Sequence, residues 1–514
     1  MPARVRIGTG ATVTVTLSAD EIAATAGAAS AAGQAALDPD RPVTIAVLPK
    51  IGFRVKSADL QDATVVFEHP PVAGNPWIVD VDLIATDEGA GEVWAIVRQG
   101  PVRALTLVLR SQIVAADAAA GGAPLVGQGT LAAVEDLPNV ATLEIWQQRN
   151  GNETRFGYHV DIPNHALNRF ESPKISGDIA AWVQSLYKGI EDAWLGSHSN
   201  REIFHDSLKA KGAALFNELI PPALKDLLWR LHLQGQLGTL LVRSDEPFVP
   251  WEIAYLDDPQ NAGHDKGCFF GQLGLCRWLY GAVTVPRITI RPGRLRYVVP
   301  HYPDPRYRLA AAEEVEEPML IAMQAQKIEP HYAQVKAALA SREFDLLHFA
   351  GHGGAESGSI GDAALLLEGA YESVAGEQRY VTEPLPVANV AINARLRGAD
   401  GSRPLVVLNA CQAGRIGFSL TSIGGFAPAF LGVREGQSLA LGEAGAFISS
   451  LWSVGDQPAS VFAAAFYKAC QVPGGCTIGH AVVVAREAAR AAGDATWLAY
   501  AVYAHPHCRV EFQP

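Results

Sequence analysis

The feature that most constrains this 514-residue chain is the rhythm of its last two thirds, where short uninterrupted apolar runs alternate with helix-patterned segments. GTLLVRS, LRYVVPH, FDLLHFAG, RPLVVLNAC and GAFISSLWSV lack the in-out alternation of a half-exposed strand, and a strand apolar on both sides needs cover on both faces. Between them, segments such as AAEEVEEPMLIAMQAQ repeat apolar residues at helical spacing. Strand and helix in regular succession predict an α/β fold built on a mostly parallel sheet with helices on both faces.

The first third has a different period. From Val43 to about Val114 the runs VTIAVL, ATVVFEH, PWIVDVDLIAT, EVWAIVRQG and VRALTLVLRS are β-branched and broken by turn residues, the pattern of a small β-sandwich. Trp77, Val79, Val81 and Leu83 alternate with Ile78, Asp80 and Asp82, so one face of that strand is expected inside. AADAAAGGAPLVGQG, ending at Gly129, has linker composition and divides a recognition or regulatory β-domain, residues 1–130, from an α/β domain, residues 131–514. Asn150-Gly151 marks a hairpin turn, and helices are expected over Ile179–Leu195 and Leu208–Leu233.

Charge and cysteine content narrow the function. Lysine plus arginine total 41 against 53 acidic residues, a net charge of −12, the wrong sign for gripping nucleic acid. No signal-like apolar run opens the chain and no window resembles a membrane span, so a cytoplasmic protein bound to neither membrane nor nucleic acid is expected. Cys268, Cys276, Cys411, Cys470, Cys476 and Cys508 have no framework spacing, which predicts free thiols in a reducing compartment.

Two strand ends carry reactive groups, and sites in α/β sheets gather beyond the carboxyl ends of strands. FDLLHFAGHGG stops at His352 between glycines; RPLVVLNACQAG stops at Cys411 beside Ala410. A thiol needs a base or an imidazolium beside it to react as thiolate, and a departing amine needs a proton. The histidine precedes the cysteine by 411 − 352 = 59 residues, the chain order and nearly the spacing of caspases, and the reverse of papain-like order.

Five blocks in order, PFVPWEIAYL, LHFAGHG, LVVLNACQAG, GAFISSLWSVGD and TWLAYAVYAHP, resemble a CHAT domain, the caspase-like peptidase module related to caspases, gingipains and separase. The resemblance runs from about residue 140 to the C-terminus. It implies a cysteine endopeptidase acting on a protein or peptide substrate without cofactor or metal. Cys411 would be the nucleophile and His352 the general acid/base, with an oxyanion hole from the N–H groups of Gly353 and Cys411. It also makes Asp456, in LWSVGD, the nearest counterpart of an S1 residue for a basic side chain. Many relatives carry helical repeats where this chain has its β-domain, which is left as the surface for a regulatory protein. A defence or signalling role is implied by resemblance alone.

Plainer readings stand beside these. Cys411 alone could be a small buried residue, and a caspase-fold scaffold without activity is the competing class. His348 lies inside the strand run and is expected to satisfy a buried hydrogen bond. His348 and His352 are four apart, but Phe349 stands where H-E-x-x-H needs glutamate and the segment is a strand, so zinc is not expected. Asp456, followed by Gln457-Pro458, is placed to cap its own helix. His505, His507 and Cys508 are read as a solvated terminus, and the loops after Ala355 and around Gly425 as variable pocket builders.

Overall fold

The structure is a computed structural model. It describes all residues except 20–29, 33–41, 58–62, 100–101, 119–125, 132–139, 151–152, 163–167, 177–178, 198–199, 245–248, 261–265, 280–281, 283–284, 356–362, 375–376, 411–416, 419–422, 435–436, 439–442, 453, 493–494 and 514. Two compact units emerge: Met1–Asp136 with Trp146–Tyr158 and Glu171–Ile179, and Leu137–Ile145 with His159–Phe170 and Ala180–Pro514.

The first unit holds a β-sandwich core. The strand Trp77–Ala85 pairs antiparallel with Gly10–Leu17 on one side and Phe53–Val55 on the other. A second sheet pairs Gly89–Gln99 with Val43–Ile51 and Val102–Val114. Inward residues of both sheets, among them Val13, Val81, Leu83, Ile45, Val47, Val93, Val97 and Ile113, form one apolar cluster. Each such side chain fully removed from water contributes about 1.5–3 kcal/mol. The alternation from Trp77 is as expected: Val79, Val81 and Leu83 are buried while Ile78, Asp80 and Asp82 are exposed. The expected linker is partly strand instead, because Val126–Leu131 pairs antiparallel with Val102–Val114 and parallel with Ser30–Ala32. Backbone groups made that pairing, so the small, Gly-rich side chains did not prevent it.

Nine strands organise the second unit: β1 (Ala141–Asn150, which belongs to this unit as far as Ile145), β2 (Leu240–Ser244), β3 (Cys276–Leu279), β4 (Leu295–Val298), β5 (Gln326–Lys327), β6 (Leu346–Ala350), β7 (Leu405–Asn409), β8 (Ala446–Ser450) and β9 (Tyr500–Tyr503). Their order is β5-β4-β6-β7-β8-β9-β3-β2-β1, with parallel pairing everywhere except between β8 and β9. Every residue of β6, β7 and β8 is buried, the burial their uninterrupted apolar runs demand. Phe430 of helix Phe426–Leu431 stacks on Phe447 of β8, and Tyr467 of helix Asp456–Cys470 reaches His348 of β6. Parallel register puts Phe447 and His348 on opposite faces, so helices cover both.

Three local expectations needed correction. The helix expected over Leu208–Leu233 is two helices, Arg201–Leu219 and Pro222–Leu233, because the Pro221-Pro222 pair lacks the N–H groups needed to carry one helix through. The segment expected to contain variable loops after Ala355 holds a long antiparallel hairpin, Ala363–Val374 with Glu377–Pro386. The tail is not solvated, since Arg509–Phe512 pairs with Arg287–Ile290 and with Cys476–Thr477, and Cys508 is fully buried. Among the described residues, no helix is long and apolar enough to cross a membrane.

Candidate active site

β6 and β7 are neighbours in register, with Ala350 opposite Asn409. The next link is a bond from the Gly351 N–H to the Asn409 carbonyl, 3.2 Å. His352 is the second residue past Ala350, and Cys411 the second past Asn409. Cys411 itself lies outside the described residues, as does its half of the expected oxyanion hole.

His352 is half-buried and firmly held. Its Nε2–H donates to the Tyr307 carbonyl at 2.7 Å, because a carbonyl can only accept, and this fixes the neutral ring as the tautomer with Nδ1 as acceptor. Its backbone N–H donates at 3.2 Å to the Tyr302 hydroxyl, which in turn donates to the Leu366 carbonyl at 2.6 Å. Burial pushes the Tyr302 hydroxyl well above its ordinary range, so it stays protonated as that second bond requires. The Tyr302 and Tyr307 rings lie 5.1 and 5.8 Å from the imidazole and pack its sides. The short strand His352–Ala355 then pairs with Ala363–Val374, and Gly353 stands there half-buried.

The strand that leads to Cys411 is pinned just as closely. Ser449 Oγ donates to the Leu408 carbonyl at 2.9 Å and Ser450 Oγ to the Ala410 carbonyl at 2.6 Å. Beneath the two strand ends runs a buried polar chain. Tyr467 Oη and His348 Nδ1 are 2.7 Å apart, and His348 Nε2 lies 2.8 Å from Glu316 Oε2. Glu316 Oε1 accepts from Asn409 Nδ2 at 2.7 Å, and the Tyr500 hydroxyl donates to Asn409 Oδ1 at 2.6 Å. His348 thus has the structural role expected of it, with both ring nitrogens engaged.

Asp456 does not cap its own helix. Gly455 holds that position, and the Asp456 carboxylate instead accepts the N–H groups of Ala311 and Ala312 at 2.7 and 3.2 Å. These are the first-turn donors of a different helix, which starts near Ala310 and passes through a π-helical turn, Ala312–Glu316, into Glu317–Ala322. Burial raises the Asp456 carboxyl above the ordinary carboxylate range, partly opposed by those two bonds and by His352.

Tyr302, Tyr307 and Glu316 carry no signal in the sequence that marks them for the site. AAEEVEEP has the pattern of a solvated acidic face, yet Glu316 is buried and Val315 is 47% exposed. A π-turn inserts one residue into the helical register and rotates the residues beyond it, which inverts the hydropathy pattern at this point.

The CHAT domain family model matches residues 321–506. Over residues 321–506 the chain is similar to the CHAT domain family. The match includes His348, His352, Gly353, Cys411 and Asp456, whereas Tyr302, Tyr307 and Glu316 precede it. A second family model, for a domain of unknown function, DUF7363, matches residues 1–109. No curated protein matches the sequence. Among solved structures, two of the Saccharomyces cerevisiae separase–securin complex are similar at 9% identity, with TM-scores of 0.38 and 0.41. The match spans 73% of this chain and 30% of that one. The Arg-specific cysteine proteinase gingipain R is similar at 12% identity and a TM-score of 0.34, over 73% of this chain and 79% of that one.

Proposed function

We propose that the protein is a cysteine endopeptidase in which Cys411 attacks the scissile carbonyl and His352 moves the proton. The observation that carries this reading is the register of β6 and β7. Ala350 and Asn409 end adjacent parallel strands at the same level, such strands run about 4.8 Å apart, and His352 and Cys411 each follow two residues later in the sequence. A thiol and an imidazole carried two residues beyond those ends would be within reach of each other. With Nε2–H held by the Tyr307 carbonyl, Nδ1 is the nitrogen left to take the thiol proton and pass it to the departing amine. The carbonyl also favours the imidazolium that forms in between, the task a buried carboxylate performs in a serine protease triad.

Gly353 is suited to the oxyanion hole. In an antiparallel ladder the N–H groups of successive residues point to opposite edges, and that of His352 points to the hairpin through Tyr302. The Gly353 N–H would then face the open edge, where with the Cys411 N–H it would stabilise the tetrahedral intermediate by about 3 kcal/mol per donor. Asp456, whose carboxyl oxygens already hold the Ala311 and Ala312 N–H groups, would receive a basic P1 side chain. The β-sandwich unit, which exposes Val66, Val72 and Ile78 at 60–64%, would bind a regulatory protein that controls cleavage.

The deciding experiment compares the full chain with Cys411→Ala and His352→Ala in native lysate, following protein fragments by mass spectrometry. Fragments generated by the parent and absent with both variants are expected, a loss of at least about a thousandfold for removal of either member. Identical fragment patterns for all three proteins would leave a caspase-fold scaffold as the function.

A further inference from the structure

We propose that Glu316 is a positioning residue of the active site: it ties His348 of β6 and Asn409 of β7 into one buried network and so sets where the two strands end. The proposal rests on the Cys411–His352 reading above and adds to it a group outside the CHAT match.

The argument begins with what burial costs. A carboxylate with 1% exposure is unfavourable by several kcal/mol unless its lone pairs are filled. Here both oxygens are used, Oε2 by His348 and Oε1 by Asn409. Donation runs inward from both ends, Tyr467 to His348 to Glu316 and Tyr500 to Asn409 to Glu316, so the carboxylate is the one group that terminates both chains. A leucine or methionine would fill the volume and spare the desolvation; what the carboxylate adds is a fixed distance between two strands. Asn409 is two residues before Cys411, and its carbonyl also takes the Gly351 N–H beside His352. Displacing Asn409 therefore moves both partners of the dyad.

Glu316 is itself located by the segment that serves His352. Between Tyr302 and Glu316 the chain supplies the Tyr302 hydroxyl and Tyr307 carbonyl to His352, the Ala311 and Ala312 N–H groups to Asp456, and the Glu316 carboxylate to both strands. The single stretch from Tyr302 to Glu316 thus ties His352, Asp456, His348 and Asn409 to the same frame.

The test follows alkylation of Cys411 by iodoacetamide against pH in the full chain, resolved by peptide mass spectrometry. Burial pushes the thiols of Cys268 and Cys276 up to about 12, all five described cysteines are buried, and the peptide-level readout separates each of them, Cys476 with its lowered thiol included, from Cys411. A thiol paired with imidazolium reacts well below the ordinary thiol range, and His352→Ala shows where the onset lies without that pairing. Glu316→Gln is expected to slow alkylation at pH 6 by about tenfold to a hundredfold and to move the onset toward that of His352→Ala, since misplacement by about 1 Å costs that much. Tyr500→Phe, which keeps the stack of this ring on Phe462 at 3.6 Å, should give a smaller change in the same direction and decides the matter if Glu316→Gln does not fold. Glu316→Asp should recover part of the loss. A folded Glu316→Gln protein with the parent's rate and onset would overturn the proposal, whereas an unchanged onset in His352→Ala would sink the dyad reading instead.

Discussion

Asp456 shows how one side chain acquires a role that its own neighbourhood in sequence does not announce. Gln457-Pro458 after it has the look of a helix start, and the helix does start there, but the carboxylate reaches across to Ala311 and Ala312. An amide in its place can accept only through one oxygen and turns an NH2 group toward a backbone donor. Asp456→Asn is therefore expected to lower stability by about 1 kcal/mol, the usual worth of a lost cap, and to weaken any preference for arginine or lysine at P1. Thermal melting and a library of peptide substrates check the two effects separately. A destabilised variant with unaltered P1 preference would leave capping as the whole role. The resemblance to CHAT blocks brought Asp456 to attention; only the fold revealed what its oxygens hold.

At the scale of elements, the C-terminal strand carries a pH dependence that its sequence conceals. His505 and Cys508 have the composition of a wet tail, yet Arg509–Phe512 is the middle strand of a three-stranded sheet. The His507 N–H donates to His505 Nδ1 at 3.2 Å, so that nitrogen must stay unprotonated. Burial, reinforced by Arg243 and His507, pulls the His505 ring down to about 3. An unfolded histidine titrates near pH 6.5, so between these values the unfolded chain binds the extra proton. The stability that neutral His505 provides is full above about pH 6.5 and is lost progressively as the pH falls toward 3. His505→Gln should flatten this part of the stability profile in urea denaturation measured from pH 7 to pH 4. A variant as steep as the parent would place the dependence on another group.

For the whole molecule, the division into units predicts how a truncation behaves. Trp146–Tyr158 and Glu171–Ile179 group with the N-terminal residues although they lie beyond the expected boundary at residue 130. Trp146, Phe156 and Tyr158 are 0–5% exposed, so a chain starting at residue 131 would carry these large side chains without the strands of their own unit. Such a chain is expected to bind a hydrophobic dye and to melt lower than the parent, while one bearing polar replacements of Trp146 and Phe156 recovers solubility. A truncated chain with the parent's melting temperature and no dye binding would show that these residues need nothing N-terminal.

How much was legible depends on the range over which each signal acts. Periodicity is written into neighbouring residues, so LLHFA, LVVLN and AFISS named themselves as doubly covered strands, and the Trp77–Ala85 alternation named its inner face. His352 and Cys411 stand out because each follows such an apolar run in the sequence, beside small residues. By itself, then, the sequence determined the α/β class, the β-rich start and the two strand ends from which a dyad would rise. Only the tertiary structure decided that Glu316 is buried while Val315 is not, that Tyr307 fixes the tautomer of His352, and that Asp456 serves a distant helix. Those are pairings between groups 32 to 145 residues apart, and their partners are chosen by where packed elements meet in space. A hydrogen bond across such a separation leaves no period in the chain to read.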